Sequence, residues 1–325
     1  MRSFVKSLIV GVTAFALIAS AGLSQAQEKK AVLSQAFQSM LYLPVYVAMD
    51  AGFFKKHGLD LSKQTAGAPS TALSAVLSGS ADFSLHGPEW TAIAAAKGAP
   101  VNIIANVVNG AAVWIATTPD FKFTSVKDLK GETVVTGQMP TTSTSLFLKL
   151  LKENGMDNES VKMIQVQLGS EIGPLAAGQA KAAVMYEPGL DQAVARGMKV
   201  VLGFPKLYGP YAFSAITAKK DVDPDTAQRF VSGLQDALVY MQSSSNQKAV
   251  IDIAKQEFPT LDPAVVESAT KRMLAEAVYP KSVEISPAAL EVAMATQIAL
   301  GNLPAQPAYA DLISQKFIKV ALTGK

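Results

Sequence analysis

The chain has 325 residues, with 29 Lys and Arg against 26 Asp and Glu, two His and no Cys. Near-neutral charge gives no reason to expect nucleic acid or an anionic membrane as partner. The missing thiols exclude disulfides, Cys-ligated zinc, iron–sulfur clusters and Cys nucleophiles.

Arg2 and Lys6 precede an uncharged apolar run from Leu8 to Ala21, and Ser24-Gln25-Ala26 follows as a small-x-small step. This pattern is that of a cleavable secretory signal over residues 1–26, because the apolar run is shorter than the ~20 residues a spanning helix needs. Without its two basic residues the mature chain carries 27 against 26 charges, a net charge near +1. The product is expected to be a freely soluble periplasmic monomer. Its ~300 residues suggest two lobes.

The mature chain reads first as a strand from Ala31 to Ala36, a helix opened by Pro44, and an alternating strand from Leu59 to Gln64. A helix from Ser70, the strand DFSLH and a helix PEWTAIAAAK follow, and then a continuously apolar strand from Val101 to Val108. Continuous apolarity is expected of strands covered on both faces. Val113 to Thr117 is extended. Strands over Glu132–Thr136, VKMIQVQ, KAAVMYEP and MKVVLG then alternate with helices, and Tyr211 to Lys219 is extended again. From Pro224 onward the pattern is helical, with Asp223, Asp262 and Ser286 as caps before prolines. This is an α/β chain of two doubly wound lobes with a helical C-terminal region. Crossings between lobes are expected near Ile115–Thr118 and Ser214–Thr217. These put lobe 1 at residues 27–115 plus 218–325 and lobe 2 at 116–217, joined by a two-crossing hinge.

Four stretches, LYLPVYVAMDAGFFKKHGLDL, ALSAVLSGSADFSLHGPEWTAIAAAKGAPV, SVKDLKGETVVTG and LAAGQAKAAVMYEPGLDQAVARG, occur in an order and spacing that is specific. Together they resemble the substrate-binding proteins of ABC importers for sulfonates, taurine, nitrate and thiamine-pyrimidine precursors. The resemblance covers most of residues 36 to 200. It implies a type II periplasmic binding protein fold, a small-molecule solute held between the lobes, and a membrane permease as partner. It implies no cofactor and no metal.

The resemblance also places ligand contacts in the loops at strand ends. In SMLYLP, Tyr42 offers a ring, though it could simply cap a helix start. In TAGAPST, Gly67 allows close backbone approach, and Ser70 or Thr71 offers a hydroxyl. His86 and Glu89 of HGPEW face the cleft if the strand-to-helix turn is open, the alternative for His86 being an ordinary buried strand-end histidine; Trp90 could wall the pocket or equally be a core ring. Thr142 and Ser143 lie in PTTSTS, where some hydroxyls must cap the helix and others are spare. Trp114 and Tyr186 are further stacking faces. Glu187 ends a buried strand and either meets a ligand or caps the helix opened by Pro188, since a buried carboxylate without a partner is costly.

None of the strand-end loops, residues 38–46, 65–71, 86–90, 109–114, 138–145, 169–173 and 185–189, contains Lys or Arg, whereas Glu89, Glu171 and Glu187 are present. A pyrimidine-like or other heteroaromatic solute is therefore preferred over an alkanesulfonate, taurine or nitrate-like anion. An enzyme on the same fold is disfavoured: there is no Cys, and neither His57 nor His86 sits in a nucleophile-elbow context.

Overall fold

The structure is a computed structural model that describes residues 28–324; the expected signal segment lies outside the described residues. Ten strands form two five-stranded sheets. They are β1 (Lys29–Gln35), β2 (Leu59–Thr65), β3 (Phe83–His86), β4 (Val101–Gly110), β5 (Trp114–Thr117), β6 (Thr133–Gly137), β7 (Lys162–Val166), β8 (Ala182–Met185), β9 (Lys199–Gly203) and β10 (Pro210–Lys219). The first sheet runs β2-β1-β3-β10-β4 and the second β7-β6-β8-β5-β9.

Each sheet contains one strand that runs against its neighbours. In the first it is β10, antiparallel to β3 and β4; in the second it is β5, antiparallel to β8 and β9. Both reversed strands enter directly from the other sheet. The chain leaves the first sheet after Gly110 and joins the second at Trp114, then leaves the second after Gly203 and rejoins the first at Pro210.

This corrects the expected positions of the crossings. Ile115–Thr117 lie wholly within the second sheet, and Ser214–Thr217 wholly within the first. The crossings are at residues 111–113 and 204–209. Sequence pattern misplaced them because both lie beside continuous apolar runs, in which entering and leaving a sheet look the same. Ala111, Ala112 and Val113 are as buried as the strands they join.

Strands β3, β5 and β8 are buried along their whole length. Helix Pro224–Met241 caps the first sheet, where its apolar face packs on β1, β2 and β4. Its Gly233 lets Phe54 approach: a Cβ there would lie 2.6 Å from the Phe54 ring. Helix Pro263–Ala275 instead reaches across to the second lobe and packs on helix Gly189–Ala195. Among the described residues no helix is long and apolar enough to cross a membrane.

Candidate functional site

The carboxyl ends of the parallel strands in both sheets meet at one cleft, the place where open α/β sheets bind ligands. A small cavity lies there. From the first lobe it is lined by Phe37, Leu41, Tyr42, Pro69, Gly87 and Glu89, together with Phe213 and Ser214 of β10. From the second lobe come Thr141, Thr142, Leu168 and Tyr186. The space between these residues, part of it open to solvent, amounts to about 270 Å³, of which only about 20 Å³ can be visited by the centre of a water molecule. That is room for a water or two, since one occupies about 10–15 Å³ on this measure.

Aromatic rings dominate the wall. Phe37 meets Tyr42 edge-on at 5.5 Å and Tyr186 at 5.5 Å, and Tyr186 meets Phe213 at 6.0 Å. The Tyr186 hydroxyl accepts the backbone N–H of Ser143 at 3.1 Å, which holds the ring against the cleft. Among the described residues lining the cavity none is basic.

Glu89 is the one carboxyl in the wall. It sits in the first turn of helix Pro88–Ala96 and is 2% exposed. Thr142, across the cleft, donates its hydroxyl to Glu89 Oε1 at 2.6 Å. Burial raises the Glu89 carboxyl to about 7, and the Thr142 bond pulls it back in part. Gly87 precedes it for a steric reason. A Cβ at Gly87 would stand 2.3 Å from both Glu89 carboxyl oxygens, although the backbone there (φ −64°) suits any residue. Gly87→Ala is therefore expected to displace the Glu89 carboxyl from Thr142, with a shift of no more than a few degrees in Tm; a crystal structure and a thermal melt of the variant check both.

Further bonds close the lobes on each other. Gln167 Nε2 donates to the Gly67 carbonyl at 3.2 Å. The Glu187 carbonyl accepts from Met40 N–H at 3.1 Å and from Ser39 Oγ at 3.0 Å.

Of the residues singled out by sequence, Tyr42, Glu89, Thr142 and Tyr186 line the cavity, and Gly67 lines a chamber beside it. The other five do not. Ser70 is exposed, as is Thr71, because the helix Pro69–Ser78 turns them outward and leaves Pro69 in the wall. His86 is a satisfied core residue. Its Nε2 meets Ser84 Oγ at 3.0 Å, on the same face of β3, and its Nδ1 meets the Gly87 carbonyl at 2.9 Å. Burial lowers it to about 4, so it is neutral at physiological pH. Trp114 is buried in β5 against Gly203, with Nε1 donating to Glu276 Oε2 at 3.2 Å. Ser143 contributes its backbone N–H to Tyr186 while its own side chain is buried away from the cavity.

Glu187 is corrected most sharply. Its Oε2 accepts the Asp191 N–H at 3.0 Å, which caps helix Gly189–Ala195, and its Oε1 accepts Arg272 Nε at 2.8 Å. Arg272 Nη2 also holds Asp191 Oδ1 at 2.6 Å. Burial and the neighbouring Asp191 push the Glu187 carboxyl up to about 8, against the pull of Arg272. This is a structural ion cluster tying the C-terminal region to the second lobe.

Sequence reasoning missed Phe37, Leu41, Leu168, Phe213 and Ser214 as cleft residues. Phe37 sits two residues beyond the end of β1, a position that strand-end logic could have flagged. Phe213 and Ser214 lie inside a strand and become cleft residues only because β10 is inserted backwards between β3 and β4.

A family profile described as NMT1/THI5 like matches residues 40–247. The protein YtlA of Bacillus subtilis is 23% identical over 304 residues, which is 91% of each chain. Among solved structures, the alkanesulfonate-binding protein SsuA of Xanthomonas axonopodis pv. citri, bound to MOPS, superposes with a TM-score of 0.72 at 18% identity, covering 89% of this chain and 99% of that one. The desulfurization enzyme DszB superposes with a TM-score of 0.67 at 14% identity, covering 91% and 99%. The chain belongs to the NMT1/THI5-like family and has the two-lobed fold of the type II periplasmic binding proteins.

Proposed function

We propose that this protein is the exported solute-binding component of an ABC importer. It closes its lobes on a small heteroaromatic solute with an N–H-bearing edge, of the pyrimidine class, and delivers it to a membrane permease. The observation that carries the reading is the wall itself, with four aromatic rings, a single buried carboxyl and no basic side chain. Rings stack on a planar solute, and the Glu89 carboxyl, held protonated by burial, presents one O–H donor and one acceptor oxygen to an N–C–NH2 edge, whose ring nitrogen accepts and whose amino group donates. An anion would have to rest on N–H groups and hydroxyls beside Glu89, and the Ser143 N–H is already taken by Tyr186.

Catalysis has no support among these residues. The desulfurization enzyme shares the fold, but the cavity here lacks a nucleophile–base pair: the sequence has no Cys, and His86 is locked to Ser84 and Gly87.

A thermal-shift and calorimetric screen of 4-aminopyrimidines, aromatic acids and alkanesulfonates tests the reading. A solute at 100 times its Kd stabilises the fold by about 2.7 kcal/mol. The expected result is a shift with aminopyrimidines that weakens as pH rises past 7, because the Glu89 carboxyl must keep its proton to donate to the ring nitrogen. A shift with alkanesulfonates alone would replace this reading with the anion one.

The closed cavity is too small for a ring, so uptake requires the lobes to part about residues 111–113 and 204–209, which breaks the Thr142–Glu89 and Gln167–Gly67 bonds. Small-angle scattering is expected to record a smaller radius of gyration with saturating solute than without. An unchanged radius would remove the hinge.

A further inference from the structure

A second chamber adjoins the cavity. The two share Pro69, Thr141 and Leu168 as a common wall, and the chamber continues past them to Gly67, Trp90, Met139 and Gln167. Both lobes contribute, as they do to the cavity, and the Gln167–Gly67 bond spans this chamber. The space between its walls, part of it open to solvent, is about 350 Å³, somewhat more than the cavity's.

Trp90 follows Glu89 directly on helix Pro88–Ala96. Consecutive helical residues point about 100° apart. Glu89 thus lines the cavity while Trp90 lines the chamber next to it. The Trp90 indole Nε1–H is buried and has no hydrogen-bond partner. The other indole, that of Trp114, is bonded to Glu276. A buried donor left unmade is costly, by an amount comparable to a hydrogen bond, so its persistence calls for an explanation. Leu168 and Met139 supply apolar walls, and the chamber's polar side chains, Gln138, Thr141 and Gln167, make no hydrogen bond to the indole.

We infer that this chamber is a second subsite, which receives a substituent of the solute carrying a hydrogen-bond acceptor, and that Trp90 Nε1–H is the donor that selects it. The inference rests on the heteroaromatic reading of the cavity: the ring occupies the space between Tyr42 and Tyr186, its N–H edge meets Glu89, and a neighbouring ring position projects past Pro69 and Leu168 to Trp90. Discrimination follows from the chemistry. A solute that lacks the acceptor leaves the indole N–H unpaired, and one that carries it satisfies the donor on closure.

The test uses two probes, 4-aminopyrimidine and 4-aminopyrimidine-5-carboxamide, titrated calorimetrically into wild type and Trp90→Phe. The expected result is a wild-type preference of about tenfold for the carboxamide, the weight of one buried hydrogen bond, which falls to near one in the variant while 4-aminopyrimidine affinity changes little. A second measurement needs no substitution. With two Trp in the chain, the ¹⁵N-indole spectrum has two resonances, and the Trp90 N–H is expected to move downfield with the carboxamide only. Binding of both probes with the same ratio in wild type and variant, and an unmoved Trp90 resonance, overturns the subsite but leaves the heteroaromatic reading standing. Failure of wild type to bind either probe overturns that reading and the subsite with it.

Discussion

Arg272→Ala lowers Tm by roughly 5–15 °C, the largest loss expected from any single surface-reaching side chain in this protein. The Arg272 fork holds Glu187, whose side chain is 0% exposed, and Asp191, whose side chain is 3% exposed. Removing one partner of a buried pair typically costs about 3–5 kcal/mol because it strands uncompensated charge; for a chain of this size each kcal/mol is worth about 2–4 °C or somewhat less. The pH dependence separates this cause from simple loss of packing. The folded Glu187 carboxyl is already raised to about 8 by burial and by Asp191. A carboxyl raised above its unfolded value contributes stability that is present below the unfolded pKa and is lost as pH rises through the folded one. Without Arg272 that rise is larger, so the deficit of Arg272→Ala is expected to be small at pH 5 and full at pH 8.5. Thermal melts of wild type and variant across that range check it. An equal deficit at every pH would mean that the guanidinium acts only through its packing. Glu187→Ala is likewise expected to lower Tm, since it removes both a helix cap and an anchor of Arg272.

Glu89→Ala weakens solute binding by about tenfold to a hundredfold, and Glu89→Gln by less. Ala removes both hydrogen bonds to the N–C–NH2 edge, at about 0.5–1.5 kcal/mol each, whereas the Gln amide keeps one N–H donor and one acceptor oxygen for it. The empty protein responds in the opposite sense. Burial raises Glu89 to about 7, so its contribution to stability is present at low pH and is lost as pH rises from about 4.5 through 7. Glu171, raised to about 7 by burial, slopes the same way. His86, lowered to about 4 by burial, slopes the other way and loses stability as pH falls below its unfolded value. The Glu89 share is therefore read from the difference between wild type and Glu89→Gln: melts of the unliganded proteins are expected to converge near pH 5 and to favour the variant near pH 8. A pair of parallel profiles would mean that Glu89 is not raised.

How far the cleft could be read from the chain depended on the kind of residue. Tyr42, Glu89, Thr142 and Tyr186 stand at or just past the carboxyl ends of strands, and strand-end logic places such residues at the cleft of an α/β lobe. His86 and Glu187 occupy equivalent positions and yet turn away. Each found a partner that sequence spacing does not reveal as decisive: Ser84 and the Gly87 carbonyl for one, and Arg272, 85 residues further on, for the other. A polar residue at a strand end has both options, and the better-satisfied one wins because an unpaired buried group is costly.

The sequence by itself determined the alternation of strand and helix, the two-lobed α/β class and the absence of basic groups from the cleft loops. These follow from hydrophobic period, capping residues and composition, all of which are local. Only the tertiary structure decided that β5 and β10 run backwards into the sheets, that the crossings fall at residues 111–113 and 204–209, and that Phe213 and Ser214 thereby line the cavity. Which face of Trp90 stays unpaired and which carboxyl meets Arg272 were decided there too. Strand direction leaves no mark on an apolar run that is buried on both faces, and partners more than 50 residues apart, such as Glu89 and Thr142, are set by packing rather than by spacing.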